Sequence, residues 1–167
     1  NLPTHGGSLR FYIKRKANKD LKISNRLNKQ IQNEIKFGLD KFTTYKQFSI
    51  NVIKSKIKLL KILNKIVKTK KTIIGYGATA KAVTVLNYCD INNDLIPFFT
   101  DTTPDKINNY MPGKKIKIIK YKKNILRKFD YAFLGAWNFK KEIISKEKEF
   151  IKKGGKFITH VPKPKIF

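Results

Sequence analysis

The stretch Thr72-Ile-Ile-Gly-Tyr-Gly-Ala-Thr-Ala-Lys81 constrains the fold more than any other part of this chain. A short apolar run enters a turn with glycines at 75 and 77 and a small residue, Ala80, before Lys81–Asn87, which reads as a helix. This is the G-x-G-x-x-A form of the nucleotide-binding strand-to-helix turn. In that reading Gly75 allows the tight turn, Gly77 lets a phosphate approach the backbone, and Ala80 lets the helix pack close to the strand. The helix N-terminus then offers N–H groups and a partial positive charge to an anion. On the motif alone, a tight turn with no ligand remains the equal rival.

The rest of the chain supplies the context. From Thr72 onward, strand-like and helix-like segments alternate: Ile73-Ile74, a helix over about 79–88, Leu95–Thr100 ending at Asp101, and a short strand Ile116–Ile119. A short helix over Lys122–Lys128 follows, then a buried strand in Asp130–Trp137, a helix Lys140–Lys153 stopped by Gly154-Gly155, and a closing strand Lys156–Val161. Interleaving of this kind predicts an α/β fold with a mostly parallel, Rossmann-like sheet and flanking helices. Upstream, Ser24 or Asn25 caps a helix carrying Leu27, Ile31 and Ile35 and ending near Gly38, and Thr44-x-x-Gln47 resembles a capping box for a long helix. The alternating Leu9-Arg-Phe-Tyr-Ile-Lys14 reads as a strand. The expected division is 1–16, a strand belonging to an upstream domain; 17–71, a helical segment; and 72–167, the Rossmann-like domain.

The net charge of +27 raises the possibility of a nucleic-acid partner. Only four of the 38 basic residues are Arg (Arg10, Arg15, Arg26, Arg127), and Arg supplies the bidentate contacts that nucleic-acid readers rely on. The lysines are spread through the chain and accompany many Ile and Asn, all residues with A/T-rich codons. Nucleic acid is therefore not the expected partner. No apolar run reaches the ~18 residues of a membrane span. The single cysteine, Cys89, forms no intramolecular disulfide, and no Cys/His spacing suggests a metal site. A cytoplasmic fragment of a longer protein is the simplest expectation.

An ordered set of short motifs narrows the reading. Thr4-His-Gly-Gly-Ser-Leu-Arg10, Gly75-Tyr-Gly-Ala78, Ala80-Lys81, Leu86-Asn87, Asp101, Pro112-Gly113, Ala136-Trp-Asn138, Glu142-Ile143 and Gly154-Gly-Lys-Phe-Ile158 occur in this order. Together they resemble the C-terminal domain of the sugar C-methyltransferases, which use S-adenosylmethionine to methylate a ring carbon of a nucleotide-linked deoxysugar. The resemblance implies a parent with an N-terminal zinc-binding domain, a central methyltransferase domain and this C-terminal domain. It implies that S-adenosylmethionine binds outside this chain and that no cofactor binds within it. The implied partners are a nucleotide-linked sugar and the upstream methyltransferase domain. The sequence departs from the family pattern at Val83, at Lys106-Ile-Asn-Asn109, at Ile116-Lys-Ile118 and at Gly135.

The candidate substrate-binding residues are His5, Gly6, Gly7, Ser8, Gly75, Tyr76, Gly77, Lys81, Asp101 and Asn138. His5 is a weak catalytic candidate through its near-neutral titration, with a turn role as its rival. Lys81 pairs with a diphosphate or with a carboxylate such as Asp101. Asp101 accepts ribose hydroxyls or caps the following turn, and Tyr76 stacks on a base or covers the glycine turn. Asn138 reads a base edge or sugar hydroxyl, or caps the helix expected from Phe139. The ligand is expected over the C-terminal edge of the sheet, its sugar facing His5–Ser8. Two other function classes share features with this one, a nicotinamide-dependent oxidoreductase through the glycine motif and a basic nucleic-acid-binding module through the charge.

Overall fold

The computed structural model describes residues 2, 4, 7–20 and 22–167. The chain divides into two compact units, Asn1–Val52 and Ile53–Phe167.

In the first unit, α1 (Asn25–Phe37) starts at Ser24, whose hydroxyl accepts from the Arg26 N–H, and stops at Gly38 in the left-handed region at φ 82°. There the Gly38 and Leu39 N–H groups donate back to Ile35 and Glu34, closing the helix end as its glycine predicts. The next helix, α2 (Phe42–Lys68), begins earlier than the capping box suggests. A tight turn in which the Lys41 N–H donates to Gly38 starts α2 before Thr44, and the Gln47 amide donates to Asn51 instead. The alternating segment Leu9–Lys14 forms no strand. Phe11, Tyr12 and Ile13 are exposed, so the alternation has no sheet to join among the described residues.

The second unit is an α/β fold. Its sheet contains β1 (Ile73–Tyr76), β2 (Phe98–Asp101), β3 (Lys117–Lys120), β4 (Tyr131–Leu134), β5 (Lys156–Thr159) and β6 (Lys165–Ile166), in the order β3-β2-β1-β4-β5-β6. All neighbours are parallel except β5 and β6. The order reverses direction between β1 and β4, which is where open α/β sheets leave a crevice at the strand ends. One face, with Ile73, Phe99, Phe133 and Ile158, packs against Leu59, Leu63 and Ile66 of α2 and Ala82 and Leu86 of α3 (Ala80–Cys89). The other, with Ile74, Ala132 and Phe157, packs against Ile143 of α4 (Lys140–Lys146) and Phe150 of α5 (Lys148–Lys152). Each fully buried Leu, Ile or Phe among these contributes about 1.5–3 kcal/mol.

Four segments differ from expectation. The ladder of β2 begins at Phe98, because Pro97 has no N–H to give it. Residues Ile125–Lys128 make a 3-10 turn, not an α-helix. β4 ends at Leu134 and Trp137–Phe139 form another 3-10 turn. The single helix expected over 140–153 is broken at Glu147, whose backbone sits at φ −103°, ψ 31°. Past α5, the N–H groups of Gly154 and Gly155 donate back to Ile151 and Phe150, and Gly154 takes φ 85°, as the double glycine predicts. The two-residue β6 was too short to carry a sequence signal.

Candidate functional site

The C-terminal ends of β1 and β2 open on a cavity of about 300 Å³. Its sheet side is formed by Tyr76, Gly77, Thr100 and Asp101, and its far side by Phe139, Glu142, Ile143 and Lys146. Those last four share one helical face by their three- and four-residue spacing. Tyr121, just past β3, and Lys106, just past β2, complete the walls.

The glycine turn is held from both sides. The Gly77 N–H donates to Thr100 of β2. Gly77 has φ 85°, and a Cβ there would lie 2.7 Å from the Ala136 Cβ. Its open side, where a pyrophosphate would approach, faces Ala136. The next donor, the Ala78 N–H, is taken by the Asp101 carboxylate at 2.7 Å, and the other Asp101 oxygen accepts from the Thr103 N–H at 2.9 Å. Thr79 caps α3, accepting from the Ala82 N–H while donating to Gly135. Gly75 lies within β1, not in the turn, and the space its missing side chain leaves is filled by the Phe99 ring.

Asp101 is therefore a structural carboxylate. Burial pushes its carboxyl up, but the N–H groups of Thr103 and Ala78 and the Lys106 ammonium outweigh that and hold it below its ordinary value. Lys106, not Lys81, is the cation facing it, 3.7 Å away, and Lys106 also donates to the Ala78 carbonyl at 2.9 Å. A carboxyl depressed on folding adds stability above its unfolded pKa, and that stability is lost as pH falls through the folded value. Asp101→Ala leaves two backbone donors unpaired and should cost about 3 kcal/mol at pH 7. The gap to wild type in urea unfolding should narrow below about pH 4; an unchanged gap at pH 3 would contradict this account.

Beside the turn lies a second buried carboxylate. Glu147, 5% exposed, accepts from the hydroxyls of Tyr76 at 3.1 Å and Tyr121 at 2.6 Å. The two rings meet edge to face at 5.7 Å, and the Lys146 ammonium lies 4.0 Å from the Tyr121 ring centre. Burial, with the Glu147 charge next to it, raises the Tyr76 phenol and pushes that of Tyr121 up to about 12. Both tyrosines stay neutral and fixed in direction. The break between α4 and α5 falls at the residue that holds them.

Of the sequence candidates, Tyr76, Gly77 and Asp101 line the cavity. Lys81 instead sits over the Trp137 ring at 5.2 Å. Asn138, half-buried in the 3-10 turn, caps no helix: the helix begins at Lys140, with Phe139 before it. Gly7 and Ser8 belong to the first unit, in a loop closed by the Leu2–Ser8 bridge and by the Ser8 hydroxyl donating to Thr4. His5 and Gly6 lie outside the described residues. Sequence reasoning missed Thr100, Lys106, Tyr121, Lys146 and Glu147. Only the first of these has a local signal, as a polar residue at the end of an otherwise apolar strand. Some motif residues are scaffold: the Asn87 amide donates to Pro112, and a side chain on Gly113 would run into Asn87.

The arrangement defines an α/β domain whose cleft lies beside the switch in strand order, with no group of metal-ligating side chains among the described residues. Residues 3–162 match the family model described as the C-methyltransferase C-terminal domain, and the chain belongs to that family. It is 31% identical over 162 residues to the C-methyltransferase NovU of Streptomyces niveus, covering 97% of this chain and 38% of that protein. The chain thus spans well under half the length of this curated relative. No helix among the described residues is long and apolar enough to cross a membrane.

Proposed function

We propose that this chain is the substrate-binding domain of a C-methyltransferase, with a Rossmann-like sheet that holds a nucleotide-linked sugar at its C-terminal edge. The observation that carries the reading is the cleft between the ends of β1 and β2 and the face of α4, in a chain of this family. S-adenosylmethionine serves the longer protein and binds outside this chain. The residues here do not suit an adenosine cofactor on the glycine turn. The Ala78 N–H, which the turn would offer to a phosphate, is already taken by Asp101, and Ala136 covers Gly77. The same two facts count against a nicotinamide-dependent oxidoreductase.

The chain alone should transfer no methyl group, since that step needs a donor site and a base aligned with the acceptor carbon. Calorimetric titration at physiological salt separates the classes. A nucleoside diphosphate-hexose should bind, NAD should not, and any duplex DNA binding should fall steeply as salt rises. Binding of NAD in preference to the nucleotide-sugar, or methyl transfer by residues 1–167, would overturn the reading. A bulky residue at Gly77 is a poor probe, because its positive φ and the Ala136 contact would distort the turn. Phe139, which lines the cleft yet is 52% exposed, can be changed with less risk to the fold.

A further inference from the structure

The cleft does not share the positive excess of the rest of the molecule. The chain has 38 Lys and Arg against 11 Asp and Glu. Among the residues lining the cleft, two carboxylates, Asp101 and Glu142, meet two ammonium groups, Lys106 and Lys146, so the lining is balanced in charge. In a protein this basic, a site for phosphate would be expected to concentrate lysines. Here the lysines are matched one for one by acids. At the cleft floor the Thr100 hydroxyl is 1% exposed and has no hydrogen-bond partner. A buried hydroxyl left unpaired costs about 1–3 kcal/mol, so a ligand group that pairs with it binds with that advantage. Its neighbours across the sheet are Tyr76 and Ile119, and Tyr76 is anchored by Glu147. The floor is thus one unmatched donor–acceptor between fixed aromatic walls.

Building on the proposed nucleotide-sugar reading, we infer that this cleft takes an uncharged, hydroxyl-bearing ring, and that the diphosphate stays outside it. The Glu142 carboxylate and the Thr100 hydroxyl accept from ring hydroxyls, while a lining balanced in charge gives phosphate oxygens no net attraction. Tyr76, Tyr121 and Phe139 offer apolar faces to the C–H side of such a ring. The ring is either the ribose of the nucleotide or the sugar itself. Glu147 is a positioning residue, because it acts through the two phenols.

The test follows the Tyr76 and Tyr121 ring resonances by NMR while the intact chain is titrated with uridine, methyl glucoside, inorganic pyrophosphate and UDP-glucose. Uridine or methyl glucoside should move both resonances, the first identifying ribose and the second the sugar, and pyrophosphate should move neither. Thr100→Val should weaken the uncharged probe that binds by about tenfold, the size expected for one lost hydrogen bond to a buried group. Phe139→Ala, on the exposed wall, should weaken the same probe by a few-fold and decides the matter if the Thr100 variant fails to fold. The inference fails if pyrophosphate shifts these tyrosines and loses affinity in the variants, or if neither uncharged probe shifts them. UDP-glucose binding elsewhere would sink the inference and spare the nucleotide-sugar reading; methyl glucoside binding here without UDP-glucose binding would do the reverse.

Discussion

Between pH 6.5 and pH 4 the protein should lose roughly 3 kcal/mol of stability through one residue, His160, at about 1.4 kcal/mol for each pH unit. His160 follows β5, is 9% exposed and stacks on Phe133 with ring centres 5.4 Å apart. Its Nδ1 is buried without a hydrogen-bond partner. Burial alone pushes the imidazole down from 6.5 to about 4. The folded state therefore binds fewer protons than the unfolded chain across that window. Stability is complete above 6.5 and drains away as pH falls toward 4. Urea unfolding of wild type and His160→Leu at steps from pH 7 to 5 measures this, a range that avoids most carboxylate titration. The variant should lose the slope. If the slope survives the substitution, His160 is not its source.

The glycine turn and the alternation of strands and helices were legible because they are local. Gly38 and Gly154 end helices in the left-handed region, as glycine after a periodic run predicts. Asp101 was legible as a residue that matters, but its partners were not. Ala78, Thr103 and Lys106 reach it from two loops, and nothing in the sequence prefers Lys106 over Lys81. Glu147 was invisible for the same reason. In sequence it is one acid within a lysine-rich helical run, and its role appears only when Tyr76 and Tyr121, 71 and 26 residues away, converge on it. Gly135 shows the point in reverse. It departs from the family pattern, yet a Cβ there would strike the Gly77 carbonyl, so the residue fits the close crossing of two strand ends. Leu9–Lys14 failed for a different cause: alternation specifies a strand only where a neighbouring strand is available to pair.

Gly75→Val should be the most damaging single substitution in the sheet, costing more than about 3 kcal/mol, at or beyond the upper end for overpacking a core. The sequence motif ascribes this glycine to a turn, but it stands inside β1 with no positive φ. What demands glycine is the facing strand. Gly75 pairs with Phe99, and a Cβ at 75 would overlap three atoms of the Phe99 ring. That ring has no room to retreat. It is fully buried, meets Phe133 edge to face at 6.2 Å, and limits the space at Gly135 as well. Shrinking the ring should therefore rescue the larger residue. Gly75→Ala and Phe99→Leu should each destabilise alone, while the double variant should be more stable than the sum predicts by about 1–3 kcal/mol, as contacting residues do. Denaturant unfolding of the four proteins closes the cycle. If the two losses simply add, the glycine is needed for something other than space for Phe99, and the tight-turn reading of the motif regains its claim on this position.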